Sequence, residues 1–92
     1  MTDAEILTNT KIDLEISGTS RDTFLENLIT SAKAAINLEG ITLEDTVPDG
    51  MLVASYAAYL YRKRKDDVTG MPRHLRYLLN NRLLAEKGRS DT

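Results

Sequence analysis

Residues 52–61 (LVASYAAYLY) constrain the fold of this chain more than any other stretch, because in helical register they carry apolar groups almost all the way round. A helix without a polar side cannot lie on a surface and has to be covered from several directions, by other elements or by other copies. Leu52, Tyr56, Tyr59, Leu60 and Lys63 share one side. Val53, Ala54, Ala57, Ala58 and Tyr61 fill the rest with mostly small groups that admit close helix approach. Pro48 suits the first turn of this helix, and the Asp49 carboxylate can accept backbone N–H bonds there. The segment runs into four cations at residues 62–65 (RKRK), then a turn at 66–74 (DDVTGMPRH), then a further helix at 75–87.

The remaining elements follow from periodicity and punctuation. Residues 2–16 read as a first helix, with Thr2 as N-cap, Asp3 and Glu5 near the positive end of the dipole, and Glu5 three positions after the cap. Its apolar residues Leu7, Ile12, Leu14 and Ile16 are irregularly spaced, and the 13–16 end alternates as a strand does. Residues 17–20 (SGTS) form a turn, and Ser20 caps a second helix. Phe24, Leu25, Leu28, Ile29, Ala32, Ala35 and Ile36 make its face the clearest amphipathic stripe in the chain. Gly40 closes that helix in a left-handed conformation, and Ile41 packs back on its last turn. Residues 41–50 connect it to the central helix. Pro72 opens the fourth helix, with Leu75, Leu78, Leu79 and Leu83 as its buried stripe and Arg73, Arg76, Arg82 and Lys87 off it; 88–92 reads as a frayed tail. The expected fold is all-α: a compact bundle of about four helices in one domain over residues 1–92, the third central and the fourth following the Gly-Met-Pro turn.

A chain of 92 residues has room for one small core and little room for a deep cleft. It has no cysteine and one histidine, His74, so disulfides, thiolate metal sites and histidine-based hydrolytic sites all lack their raw material. Glu44 with Asp45 and Asp66 with Asp67 lie in turns, where carboxylates serve as caps, and the glycines lack phosphate-cradling spacing. The expectation is a protein that is not an enzyme and takes no metal and no cofactor. The lack of cysteine makes a reducing cytosol the expected place of synthesis, and since no apolar run approaches the length that spans a bilayer and the start MTDAEIL lacks the order of a secretory signal, a soluble, unexported protein is expected.

The net charge of −2 conceals an asymmetry: residues 1–50 carry three Lys/Arg against ten Asp/Glu, whereas residues 51–92 carry nine against four. Either the acidic half of one copy meets the basic half of the next, as in head-to-tail rings, or the two halves form separately solvated faces. Arg62, Arg64, Arg73 and Arg76 are the candidate contacts to DNA or to an acidic partner, since clustered cations gain affinity by releasing phosphate counterions. Successive helical residues are about 100° apart, so only part of residues 62–65 can face one duplex. A small helical DNA-binding or regulatory module is the alternative reading, resting on the helix-turn-helix-like joint at 68–74.

The order of parts resembles that of the small helical head-tail connector (adaptor, DNA-packaging connector) proteins of long-tailed bacteriophages and prophages. SAKAAINLEGI (31–41) is similar to the family's opening helical unit, AAYLYRKR (57–64) to its central helix, and MPRHLRYLLNNRLL (71–84) to its closing helix after a Met-Pro turn. The resemblance spans residues 5–87; the chain departs from it in stopping at Thr92, where members often carry a longer charged tail. It implies a virion protein, made in the cytoplasm of a bacterial host, that forms a ring of about a dozen subunits under the portal protein. Such a ring extends the DNA channel and supports a stopper or tail-completion protein, with nonspecific contact to passing DNA. It further implies that Ala54, Ala57, Ala58 and Tyr61 pack against a neighbouring subunit or the portal, and that Arg62, Arg64, Arg73 and Arg76 border the channel.

Overall fold

The computed structural model describes residues 1–66 and 70–90. Four helices account for most of them: α1 (Asp3–Leu14), α2 (Asp22–Leu38), α3 (Val47–Asp66) and α4 (Arg73–Ser90). The all-α bundle expected from the sequence is the fold observed. α3 packs against α1, α2 and α4 in turn, and α1 also packs on α2, so the helix without a polar side is the one the others surround.

Thr2 caps α1 as expected. Its hydroxyl accepts the Glu5 N–H at 3.2 Å while the Glu5 carboxylate accepts the Thr2 N–H at 2.8 Å, which satisfies two orphan donors reciprocally. The strand-like alternation at 13–16 is not realised: the helix holds to Leu14 and Glu15 then turns left-handed at φ 57°. The residues α1 buries are Ile6 and Thr10, one turn apart, whereas Ile12 is exposed and Leu7, Leu14 and Ile16 are half-buried. Thr10 can be buried because its hydroxyl donates to the Ile6 carbonyl of its own helix at 2.8 Å.

α2 buries Leu25, Ile29, Ala32 and Ile36, with Phe24, Leu28 and Ala35 at the margins, as its stripe predicts. Ser20 does not cap it. Arg21 occupies the N-cap without a side-chain bond to the helix's first turn, and the Asp22 N–H instead meets the Thr19 carbonyl at 3.1 Å, so the preceding turn supplies the acceptor. At the other end Gly40 takes φ 101°, a conformation that costs any residue with a Cβ, and Ile41 is buried directly after it.

The cap of α3 is also not the expected one. The Asp49 N–H donates to the Thr46 hydroxyl at 3.3 Å, and the Asp49 carboxylate points inward, where it accepts the Glu44 N–H at 2.8 Å. Leu52, Val53, Ala54, Tyr56, Ala57, Ala58 and Tyr59 are all buried. α4 lays Leu75 and Leu79 on α3, with Leu78 and Leu83 partly covered, and stays helical through Gly88 to Ser90 rather than fraying at residue 88. Residues 67–69, of which 68 and 69 belong to the joint at 68–74, and residues 91–92 of the expected tail lie outside the described residues. The molecule measures 45 × 29 × 18 Å; with helices about 10 Å across, it is a slab two helices thick.

Candidate interaction surface

The described residues hold no group of three or more His, Cys, Asp or Glu arranged to bind a metal ion, and cations dominate the charged surface of α3 and α4. Among the described residues the cations fall into two sets, those with a carboxylate within ion-pair distance and those without one. Arg62 belongs to the first: its Nη2 donates at 2.9 Å to both the carbonyl and the carboxylate of Asp13, tying the end of α3 to the end of α1. Arg76 grips Glu39 at the end of α2 with both Nη atoms and donates its Nε to Asn80 at 3.2 Å. The hydrogen bonds to Glu39 hold the Arg76 guanidinium still more firmly in its charged form.

Arg82 is the most heavily bonded of the arginines. Its Nε and Nη2 reach Asp49 at 2.8 and 3.2 Å, Nη2 also reaches the Thr42 carbonyl at 2.8 Å, and Nη1 reaches Glu86 at 3.0 Å. The Asp49 hydrogen bonds raise the Arg82 pKa, and the Arg82 hydrogen bond lowers that of Glu86. Side-chain exposure is 5% for Asp49 and 15% for Arg82, so this is a nearly buried pair that clamps the 41–46 connector between α3 and α4. The pairs Arg62–Asp13, Arg76–Glu39 and Arg82–Asp49 each join the basic half of the chain to the acidic half. Part of the charge complementarity expected between copies is therefore satisfied within one.

The second set remains open to solvent. Lys63, Arg64 and Lys65 are exposed at the end of α3, and Arg73 is exposed at the start of α4 beside exposed His74. Each cation of the α3 group rests on a ring: Lys63 Nζ is 5.9 Å from the centroid of Tyr59, the Arg64 guanidinium 5.4 Å from Phe24, and Lys65 Nζ 5.8 Å from Tyr61. Phe24 and Tyr61 are themselves 6.1 Å apart and tilted at 58°, and Arg21 donates to the Tyr61 hydroxyl at 2.7 Å. Between the start of α2 and the end of α3 this leaves an open cleft of about 430 Å³ lined by Ser20, Arg21, Phe24, Tyr61, Arg64 and Lys65.

No protein family, characterised protein or solved structure matches this chain. Of the arginines expected to meet DNA or an acidic partner, Arg64 and Arg73 are exposed, while Arg62 and Arg76 already hold carboxylates. The expected packing surface needs a larger correction. Ala54, Ala57 and Ala58 are in the interior of the single chain, the alternative that small residues on a central helix always carry, and they offer nothing for a second copy to touch. Tyr61 is half-buried against Phe24 and faces the cleft. The sequence alone does not mark Arg21 and Phe24 as site residues; the signal it carries is that Tyr61, Arg64 and Lys65 share a helix face at i, i+3 and i+4. Among the described residues no helix is long and apolar enough to cross a membrane.

Proposed function

We propose that this chain is a structural protein of a bacteriophage virion, a head-tail connector or adaptor. In this reading copies of it form a ring of about a dozen under the portal, extend the DNA channel and give a stopper or tail-completion protein its platform. The observation that carries the reading is a set of large apolar side chains left in solvent on separate helices. Tyr77 and Leu84, 62% and 67% exposed, stand two turns apart on α4; Val47 and Met51, both exposed, stand one turn apart at the start of α3, and Leu38 at the end of α2 is 89% exposed.

Two unlike apolar patches suit a heterologous contact, in which one patch of a subunit meets the other patch of its neighbour and the series closes into a ring. Tyr77 and Leu84 of one copy would then pack on Val47 and Met51 of the next, taking the place of the buried alanines as the subunit contact. The order of the helical segments supports the same reading through its resemblance to phage connectors. The mechanism is mechanical, and the exposed Arg64 and Arg73 border the path of the DNA.

Size-exclusion chromatography with light scattering, with and without the portal protein of the same phage, followed by negative-stain imaging, tests the proposal. Closed rings that are lost in a Tyr77→Lys, Leu84→Lys variant support it. A monomer that fails to assemble even on the portal overturns it. A second reading, a small helical DNA-binding or regulatory module, draws on the exposed Lys63, Arg64, Lys65 and Arg73; tight, salt-dependent binding to duplex DNA by the isolated monomer would favour it.

A further inference from the structure

We propose that the cleft between the start of α2 and the end of α3 is a docking site for an acidic segment of a partner protein, one that presents a carboxylate next to an apolar side chain. The proposal does not depend on ring formation. Its basis is a contrast in how the cations of this molecule are used. Lys11, Lys33, Arg62, Arg76 and Arg82 each have a carboxylate of the same chain within ion-pair distance. Among the described residues none lies that close to Arg21, Arg64 or Lys65, although these three line one cleft together.

The three are nonetheless held in place. Arg21 donates to the Tyr61 hydroxyl at 2.7 Å, Lys65 lies over the Tyr61 ring, and Arg64 lies over Phe24. Aromatic rings restrain a cation without neutralising it, so the charges are arranged in advance and keep their attraction for an incoming anion. The rings supply the apolar floor. A volume of about 430 Å³ takes one or two side chains, which fits a carboxylate with an aliphatic neighbour.

Nucleic acid fits less well. Sequence-tolerant binding of single strands relies on bases stacking on open aromatic faces, and here Phe24 and Tyr61 carry their own cations. A phosphate backbone leaving the cleft toward α1 would also meet Asp13, which Arg62 has drawn against α3, and the exposed Glu15 beyond it. The favourable field is local, and a single anion uses it better than a polymer does.

The test is a titration of the full ¹⁵N-labelled chain with the peptide acetyl-Leu-Glu-Glu-Leu-amide, followed by NMR on backbone amides and arginine Nε–H groups. The expected result is saturating shifts confined to Ser20, Arg21, Phe24, Tyr61, Arg64 and Lys65. Affinity should be at least tenfold weaker in an Arg64→Gln, Lys65→Gln variant and should vanish for the Leu-Gln-Gln-Leu peptide. Both substituted side chains are exposed, and an unchanged thermal unfolding midpoint verifies that the variant is folded. Non-saturating shifts, shifts spread to Arg73 and Lys87, equal affinity in the variant, or the same response to inorganic phosphate alone would overturn the proposal. Tighter binding of a single-stranded oligothymidylate to the same residues would assign the cleft to nucleic acid instead. A mass increase that depends on these cations without any peptide would assign it to a second copy of the chain.

Discussion

Replacing Asp49 by Asn tests the claim that one nearly buried ion pair fastens α4 to the rest of the molecule. Asp49 accepts from Arg82 twice and from the Glu44 N–H, and its side chain is 5% exposed. Asparagine keeps the shape and removes the charge. One of its two polar ends becomes a donor, which must then face either the guanidinium or the Glu44 N–H, both donors themselves. Breaking a buried pair by removing one partner costs about 3–5 kcal/mol. Arg82 keeps Glu86 and the Thr42 carbonyl, so the expected loss falls just below that range, at about 2–3 kcal/mol. In a domain of this size that lowers the thermal midpoint by roughly 10–20 °C.

Urea unfolding followed by circular dichroism measures the effect, and an unchanged m-value shows that it lies in the folded state. Arg82→Met removes the other partner. The double variant should be less destabilised than the two singles together, with a coupling of about 1–3 kcal/mol. A loss below about 1 kcal/mol in Asp49→Asn, or singles that simply add in the double variant, would refute the reasoning.

Gly40→Ala places a Cβ on a residue at φ 101° and should cost about 1–2 kcal/mol, read as a lower urea midpoint, although the Cβ itself would have only an ordinary contact with Leu83 at 3.5 Å. Charge reversal at Arg62 should lower stability through repulsion from Asp13, whereas reversal at Arg64 and Arg73 should leave the thermal midpoint near that of the parent and act only on partner binding; calorimetry on both variants separates the two. Hydrogen bonds from Arg82, from the Thr2 N–H and from the N-terminal ammonium lower the pKa values of Glu86, Glu5 and Asp45 respectively. The folded state therefore binds fewer protons than the unfolded one, so stability holds above the ordinary glutamate value of 4.5 and falls with pH below it. Urea midpoints between pH 6 and pH 3 should show that fall, and Glu86→Gln should make it shallower.

The helices were legible because their signals are local. A capping box at Thr2 and Glu5, the stripe from Phe24 to Ile36, the glycine at 40 and the leucines from 75 to 83 each state their element within a few residues. The central position of α3 was legible too, from the lack of any polar side. What covers it was not: residues 52–61 read equally well whether the small alanines meet other helices or another copy, and only tertiary packing decides. The ion pairs were hidden for a related reason. Asp49 and Arg82 are 33 positions apart, and nothing near Arg82 distinguishes it from Arg73, which stays in solvent. The cleft joins Arg21 to Lys65 across a similar gap. Ser20 and Asp49 misled because each has the right chemistry for a cap at a plausible position, and the turn chosen by the backbone gave the task to the Thr19 carbonyl and the Thr46 hydroxyl instead.

α1, α2 and α3 each touch the other two, whereas α4 rests mainly on α3 and is secured by two arginine clasps. Local stability therefore has a gradient along the chain. An opening that releases α4 breaks the Glu39 and Asp49 pairs and uncovers the outer flank of α3, yet leaves the packing among the first three helices in place. The amide protons of α4 are then expected to exchange with solvent through this smaller event, and those of Leu25, Ile29 and Ala57 only when the whole molecule unfolds.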